Sequence, residues 1–425
     1  MSAAPGFNAR QAAQDILSEV LRKRRPLDAA LDACVDLEPR DAGFARAIAS
    51  ETLRRFGQLD ALIHGFVDKL PPPHRAGPTL EILLAGACEL LFLDVAPHAA
   101  VDGANRLAQA DGKAVHFKPL INAVLRRISR EGKDVLATQD AARLNTPDWL
   151  WTRWAEARGE ETTRAIASAH LKQAPLDIVA KKEPPPGAVQ IFGRSWRIEE
   201  AQRVETMPGF AEGAWWVQDA AATLPALLLG DVKGARVIDL CAAPGGKTAQ
   251  LAARGGDVVA VERDATRLAR LKENLDRLRL NATLVNDDVR DWRGEPAPFV
   301  LLDAPCTATG TIRRHPELPW IKGASDVTLC AAAAAELLDC AASLVLPGGL
   351  LVFAVCSLEP EEGREQIAAF LGAHSEFMRE PLIPDDVFGH AEFIDADGDL
   401  RTLPSHLPDR GGMDGFYAAR LRRRS

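Results

Sequence analysis

The chain lacks any hydrophobic run long enough to cross a bilayer. Its longest apolar stretch, Leu80 to Leu93, is 14 residues and carries Glu81 and Glu89, short of the roughly 20 apolar residues that a spanning helix needs. Met1 to Gln11 shows no basic segment followed by an apolar one, which speaks against a secretory leader. Cysteine is scarce and scattered, as Cys34, Cys88, Cys241, Cys306, Cys330, Cys340 and Cys356. An odd number with no Cys-x-x-Cys pair supports neither a disulfide framework nor a zinc site. No metal is expected, a reducing cytoplasmic setting is, and most of these thiols read as small core residues. A surplus of positive charge is missing too. At a net charge of −8, nucleic acid is not coated through bulk charge, so any RNA contact must come from local patches.

What the chain does have is 47% apolar residues, enough for real cores in about three domains of ordinary size. Residues 1–140 are predicted to be all-helical. Apolar residues recur there at three- and four-residue spacing, from Ala12 to Leu21, Phe44 to Val67, Leu80 to Leu93 and Phe117 to Ile128. This part holds 18 Lys and Arg against 18 Asp and Glu, so the acidity lies further on. Arg22-Lys23-Arg24-Arg25, Arg54-Arg55 and Lys118, Arg126, Arg127 and Arg130 form three basic clusters. One such cluster is usually a solvated face, but three in a neutral bundle suggest a surface that meets RNA. Residues 141–230 read as a small α+β connector. It has a helix carrying Trp149, Trp151 and Trp154, a break at Pro184 to Gly187, and short strands at Leu176 to Val179 and Gln190 to Phe192. The tryptophans read as core rather than base-stacking platforms.

From residue 231 to 425, strand and helix alternate with short turns, the pattern of a parallel, doubly wound, Rossmann-like α/β sheet. Strands are predicted at 235–240, 257–262, 282–286, 299–303 and 350–356, helices at 247–254, 264–279, 328–344 and 361–371, and a closing edge strand at Phe416 to Leu421. Ligands in such sheets bind beyond the carboxyl ends of the strands. The run Val237 to Leu240 breaks into Cys241-Ala242-Ala243-Pro244-Gly245-Gly246-Lys247, a strand, a tight turn and a helix start. Its glycines let backbone approach a ligand while the new helix presents free N–H groups. It is not a phosphate loop, which needs glycine where Cys241 stands. Glu262, ending the second strand, is placed to accept hydrogen bonds from ribose hydroxyls. Cys306 follows the strand Phe299 to Leu302, and Cys356 closes the strand Leu350 to Val355. Singly, each reads as core. Together, at two strand ends beside the glycine turn, they fit covalent activation of a pyrimidine: a thiolate adds to C6, and C5 then attacks an electrophilic methyl group.

Cys241 to Lys247, Leu302 to Gly310 (LDAPCTATG), and Val355 to Ser357 ahead of Glu359-Pro360-Glu361-Glu362 resemble the motifs of the NOP/Sun family of RNA cytosine-5 methyltransferases. Residues 8–130 resemble the antitermination factor NusB, and Trp216 to Ala220 and Asp414 to Tyr417 extend the likeness over nearly the whole chain. The resemblance implies a class I methyltransferase domain using S-adenosyl-L-methionine, behind a NusB-like domain and the connector. It implies that Cys241, Ala242, Ala243, Pro244, Gly245, Gly246, Lys247, Glu262, Asp288 and Asp303 hold the cofactor, with Glu262 on the ribose and Asp288 near the adenine. It further implies Cys356 as the nucleophile, Cys306 as the group that helps release the enzyme, and Asp303 and Lys247 near the target base. The substrate it points to is a loop cytosine of small-subunit (16S) ribosomal RNA or its precursor, with no DNA and no membrane, and a monomeric enzyme. Three positions depart from the family pattern: Val355 where Thr is common, Val300-Leu301 without the usual Asp, and Glu262 where Asp is frequent. Two other readings stay open. A DNA cytosine-5 methyltransferase would use the thiol of Pro305-Cys306 as nucleophile, and an RNA-binding assembly factor could keep the fold without catalysis.

Overall fold

The structure, a computed structural model, describes residues 6–32, 36–67, 69–199 and 203–425; Cys34 lies outside them. The chain divides into two compact units, residues 1–172 with 312–323, and residues 173–311 with 324–425.

The first unit is helical, as the three- and four-residue spacing predicts. Its main helices are Phe7–Lys23, Pro39–Arg54, Phe56–Phe66, Thr79–Leu91, Pro97–Ala110 and Lys118–Thr138. Three of them begin at a proline in the first turn, where the missing N–H has no helical partner to lose. Ile16, Leu17, Leu83, Leu84, Leu125 and Ile128 are buried. Beneath them, Arg10 and Glu89 form a buried ion pair with Nη2 and Oε2 2.6 Å apart. The helix Asp148–Arg158 buries Trp151 and Trp154, so these rings are core, as expected. The segment 312–323 belongs to this unit. The Trp320 ring lies 4.7 Å from Phe56, its indole N–H donates to the Leu53 carbonyl at 2.9 Å, and Glu317 accepts from the Leu27 N–H at 3.2 Å.

One basic cluster does not serve the role suggested for it. Arg54 is buried and donates to the carbonyls of His170 (3.1 Å) and Arg313 (2.8 Å). Arg55 donates to Glu51 and to the Leu171 carbonyl. These guanidiniums serve backbone carbonyls within the helical unit. Arg126, Arg127 and Arg130 are exposed, as are Arg22 to Arg25, although Arg22 is paired with Glu81.

The second unit holds two sheets. In the smaller, β1 (Leu176–Ala180), β2 (Ala188–Phe192), β3 (Ser195–Ile198) and β4 (Trp215–Val217) lie antiparallel in the order β2-β3-β1-β4. The larger sheet comprises β5 (Arg236–Leu240), β6 (Asp257–Val261), β7 (Thr283–Val285), β8 (Ala297–Asp303), β9 (Val345–Val355), β10 (Phe377–Arg379), β11 (Leu400–Thr402) and β12 (Phe416–Arg423). Its order is β10-β12-β9-β8-β5-β6-β7, with β11 also paired to β12. The five strands β5 to β9 are parallel. β5, β6, β8 and β9 are largely buried on both faces and so read as unbroken apolar runs, such as Val300-Leu301-Leu302 and Leu351 to Val355, while β7 is partly exposed. Helices Gly246–Ala253, Ala265–Leu278, Ala324–Ser343 and Arg364–Ala373 cover them. Asp264 caps the second of these through the N–H groups of Thr266 and Arg267, and Leu271, Leu275 and Leu278 form its buried stripe. The chain's last strand is not an edge strand. β12 runs antiparallel between β9 and β10, because a three-residue strand too short for periodicity to reveal pairs along its outer side.

Strand order reverses at β5, whose successor β6 lies on one side while β8 lies on the other. A crevice at the carboxyl ends of β5 and β8 is where such a sheet takes a ligand.

Candidate active site

The turn after β5 carries the first half of the site. Cys241 takes a left-handed conformation, φ 60°, which swings the chain out of the sheet. Gly245, at φ 101°, caps the next helix, and a Cβ there would lie 2.8 Å from Leu271 Cγ, so glycine is required on two counts. Burial pushes the Cys241 thiol up to about 12, which leaves it protonated. Glu262 is buried at the end of β6, accepting from the N–H of Ala243 (3.3 Å) and of Asp264 (3.0 Å). It thereby ties the β5 turn to the β6 turn. Asp288 lies past β7 and faces Arg290, which donates to both of its oxygens at 2.9 and 2.7 Å. Those bonds hold its carboxyl down at about 2, so it is a constant negative charge.

Beneath the turn lies Asp239, fully buried. One of its oxygens accepts from the Thr248 hydroxyl at 2.6 Å, and the other, Oδ1, has no hydrogen-bond partner. Burial raises this carboxyl to about 7. A carboxyl that holds its proton more tightly folded than unfolded stabilises the protein below its ordinary value, and this contribution is lost as pH rises through 7. Asp239→Asn, which is neutral at every pH, is therefore expected to stabilise the second unit by about 2–4 kcal/mol at about pH 8 and by nothing near pH 4. Hydrogen exchange of the β5 amides at the two pH values measures it.

The second half comes from β8 and β9, which are neighbours with Asp303 opposite Ala354. Asp303 Oδ2 lies 2.7 Å from Lys247 Nζ, and the ammonium sits 5.1 Å above the Phe416 ring. This ion pair joins the β5 turn to the β8 end. Three residues beyond Asp303, the Cys306 sulfur lies 3.5 Å from that of Cys356. The Cys356 sulfur and burial hold the Cys306 thiol well above its ordinary range. The Gly310 N–H donates to the Cys356 carbonyl at 3.0 Å, and a Cβ on Gly310 would meet the Gly415 carbonyl at 2.0 Å. The departure at Val355 is absorbed by packing, since its side chain is fully buried in the sheet core.

Lys247 thus pairs with Asp303 and Cys306 approaches Cys356 at the ends of the neighbouring strands β8 and β9, Glu262 is bound to the same turn as Lys247, and Asp288 is paired with its own arginine. One group was not singled out from the sequence. The buried carboxylate of Glu362 accepts from the Thr307 N–H (2.7 Å), the Thr307 hydroxyl (2.5 Å) and the Ser357 hydroxyl. It stands in a run with Glu359 and Glu361, and no spacing rule distinguishes it from them.

Residues 226–422 match the 16S rRNA methyltransferase RsmB/F family, and residues 7–130 match the NusB family. The chain is 37% identical to ribosomal RNA small subunit methyltransferase B of Pseudomonas putida, over 98% of both chains. It is 35% identical to the protein of that name from Vibrio cholerae, over 98% of this chain and 97% of the other. The crystal structure of PH0851 shares the fold with a TM-score of 0.78 at 24% identity, over 99% of this chain and 100% of that one. The chain belongs to the ribosomal RNA small subunit methyltransferase B family of S-adenosylmethionine-dependent RNA methyltransferases.

Proposed function

We propose that the protein forms 5-methylcytosine at a loop cytosine of small-subunit (16S) ribosomal RNA, through a covalent bond between Cys356 and C6 of the base. The 3.5 Å approach of two thiols at adjacent strand ends carries this reading. S-adenosylmethionine fits the β5 turn, where Gly245 and Gly246 pack closely on Leu271 and Gln218, and where a buried carboxyl oxygen of Asp239 has no partner. The turn Cys241 to Lys247 with Glu262 and Asp303 would hold it, and Asp288, fixed as an anion, would face its base. When bound, it supplies an electrophilic methyl group for C5 of the cytosine.

The protein's residues prepare the cytosine. The Cys356 thiolate forms the S–C6 bond, and the C5=C6 π pair moves to C5, which becomes nucleophilic. Lys247 and Asp303, locked together, would meet the polar edge of the base. After methylation C5 carries a proton that must leave. Cys306, having given its own proton to solvent, takes it as a thiolate; the C5=C6 bond re-forms and the S–C6 bond breaks. A base lifted from its stack can be brought against both thiols at low cost only from single-stranded or loop RNA. The exposed arginines of the helical domain, residues 1–140, would supply phosphate contacts that an acidic protein otherwise lacks.

Bisulfite mapping of total RNA from cells with and without the protein tests the substrate: one 16S cytosine is expected to lose its mark. The role of Cys306 has a pH signature. In the adduct the Cys356 sulfur is a thioether and no longer raises the Cys306 thiol, but burial still does, so below its titration point its thiolate fraction rises about tenfold per pH unit. Decay of the covalent RNA adduct, followed by quench and denaturing gel, is expected to quicken by about that factor per unit between about pH 7 and 9. A decay rate flat across that range removes Cys306 from the release step.

A further inference from the structure

We infer that Glu362 is a positioning residue for the two thiols, and that its carboxylate sets the distance between Cys306 and Cys356. The inference rests on the two-thiol reading proposed above. The residue following each cysteine donates to the same carboxylate: Thr307 through its N–H at 2.7 Å and its hydroxyl at 2.5 Å, and Ser357 through its hydroxyl. Glu362 is itself fully buried, so water does not compete for these bonds and they act at full strength. The loops after β8 and β9 are also tied by the Gly310 N–H to the Cys356 carbonyl at 3.0 Å, and Glu362 is the acceptor shared by the residues that directly follow the two cysteines. Further bonds brace the clamp. The Thr309 hydroxyl accepts from the Leu358 N–H at 2.9 Å, the Ser357 hydroxyl accepts from the Glu359 N–H at 3.0 Å, and Arg401 donates to the Ser357 carbonyl at 2.8 Å. Within this frame the sulfurs come to 3.5 Å. Glu362 lies beside the thiols without touching the reacting atoms, so its effect passes through Thr307 and Ser357. Its charge also favours the protonated form of Cys306, which is consistent with placement beside that thiol.

The probe is diamide, which takes two hydrogens from a dithiol and becomes a hydrazide as the S–S bond forms. On the full chain, without RNA or cofactor, peptide mapping follows the Cys306–Cys356 cross-link. Glu362→Ala leaves the Thr307 N–H and two hydroxyls without their acceptor. It is expected to slow the cross-link at least about tenfold and to lower kcat about 100-fold, the effect of misplacing a reacting group by about 1 Å. KM for RNA and Kd for S-adenosylmethionine should stay within about twofold. Glu362→Gln keeps an acceptor for the Thr307 N–H and offers an amide to hydroxyls that can turn to accept. It should keep both rates within about threefold. Thr307→Val, equal in shape, should slow the cross-link by about threefold, and it carries the test if Glu362→Ala loses cofactor binding. Wild-type cross-linking in Glu362→Ala or in Thr307→Val overturns the inference, as does a Gln variant as impaired as the Ala variant. An intact clamp in the diamide assay, with no RNA adduct in any variant, is instead failure of the two-thiol reading alone.

Discussion

Cys356→Ala is expected to lower methyl transfer by about 10,000-fold or more and to leave no covalent RNA adduct, the loss typical of removing a nucleophile. Cys306→Ala is expected to do the opposite to the adduct. The S–C6 bond still forms and C5 is still methylated, but the C5 proton has no acceptor and the RNA remains attached. Radiolabelled methyl transfer and denaturing gels read the two outcomes together. The contrast is sharp because the sulfurs are 3.5 Å apart, so on the proposed reading a base that meets one also meets the other. An adduct that survives in Cys356→Ala but vanishes in Cys306→Ala would falsify the assignment and hand the nucleophile's role to the Pro305-Cys306 thiol. Calorimetry with S-adenosylmethionine is the control. Neither cysteine lies in the β5 turn, so both variants should bind the cofactor as the wild type does.

The site divides by how its parts are encoded. The β5 turn is local: Val237 to Lys247 carries strand, turn and helix start in one window, and the order of residues alone shows its shape. The thiols are half local. Each stands visibly at the end of an apolar run, but their approach depends on β8 and β9 being neighbours, which alternation suggests and pairing decides. Glu362 is not local at all. Its bonds to Thr307 span 55 positions, and its two glutamate neighbours look the same in the chain. Arg54 fails for a similar reason. A doublet of arginines reads as surface charge, yet its partners are carbonyls 116 and 259 positions away. Asp288 was legible as an acid past the third strand, while its pairing with Arg290, two residues on, fixes its charge. Short strands escape periodicity as well. Trp215–Val217 and Phe377–Arg379 have three residues each, too few for a two-residue repeat to register, and the second moved the edge of the sheet.

Arg197→Ala is expected to destabilise the second unit by about 3–5 kcal/mol, because it leaves an uncompensated charge in the interior. Arg197 and Asp177 lie opposite each other on β3 and β1, both buried, with Nε to Oδ1 at 2.6 Å and Nη2 to Oδ2 at 2.8 Å. The guanidinium also donates to the Arg410 and Gly412 carbonyls, and Asp177 accepts from the Ala220 N–H at 3.1 Å. The pair therefore fastens the small sheet to the loop before β12 and to the helix that opens at Ala220. Burial already raises the Asp177 carboxyl, with Asp219 nearby adding to the shift and Arg197 opposing it. Removing the arginine raises it further. A raised carboxyl contributes stability at low pH that is lost as pH climbs through its folded value, so the variant's deficit should be largest near pH 8 and shrink on acidification. Hydrogen exchange of the β1 and β3 amides, compared at about pH 8 and about pH 4, measures this. Asp177→Asn in the same chain removes the stranded charge and keeps an acceptor for the Ala220 N–H, and it should recover at least about half of the loss at pH 8. If the double variant is no more stable than Arg197→Ala, the deficit comes from the lost carbonyl bonds of the 410–412 loop and the buried charge contributes nothing.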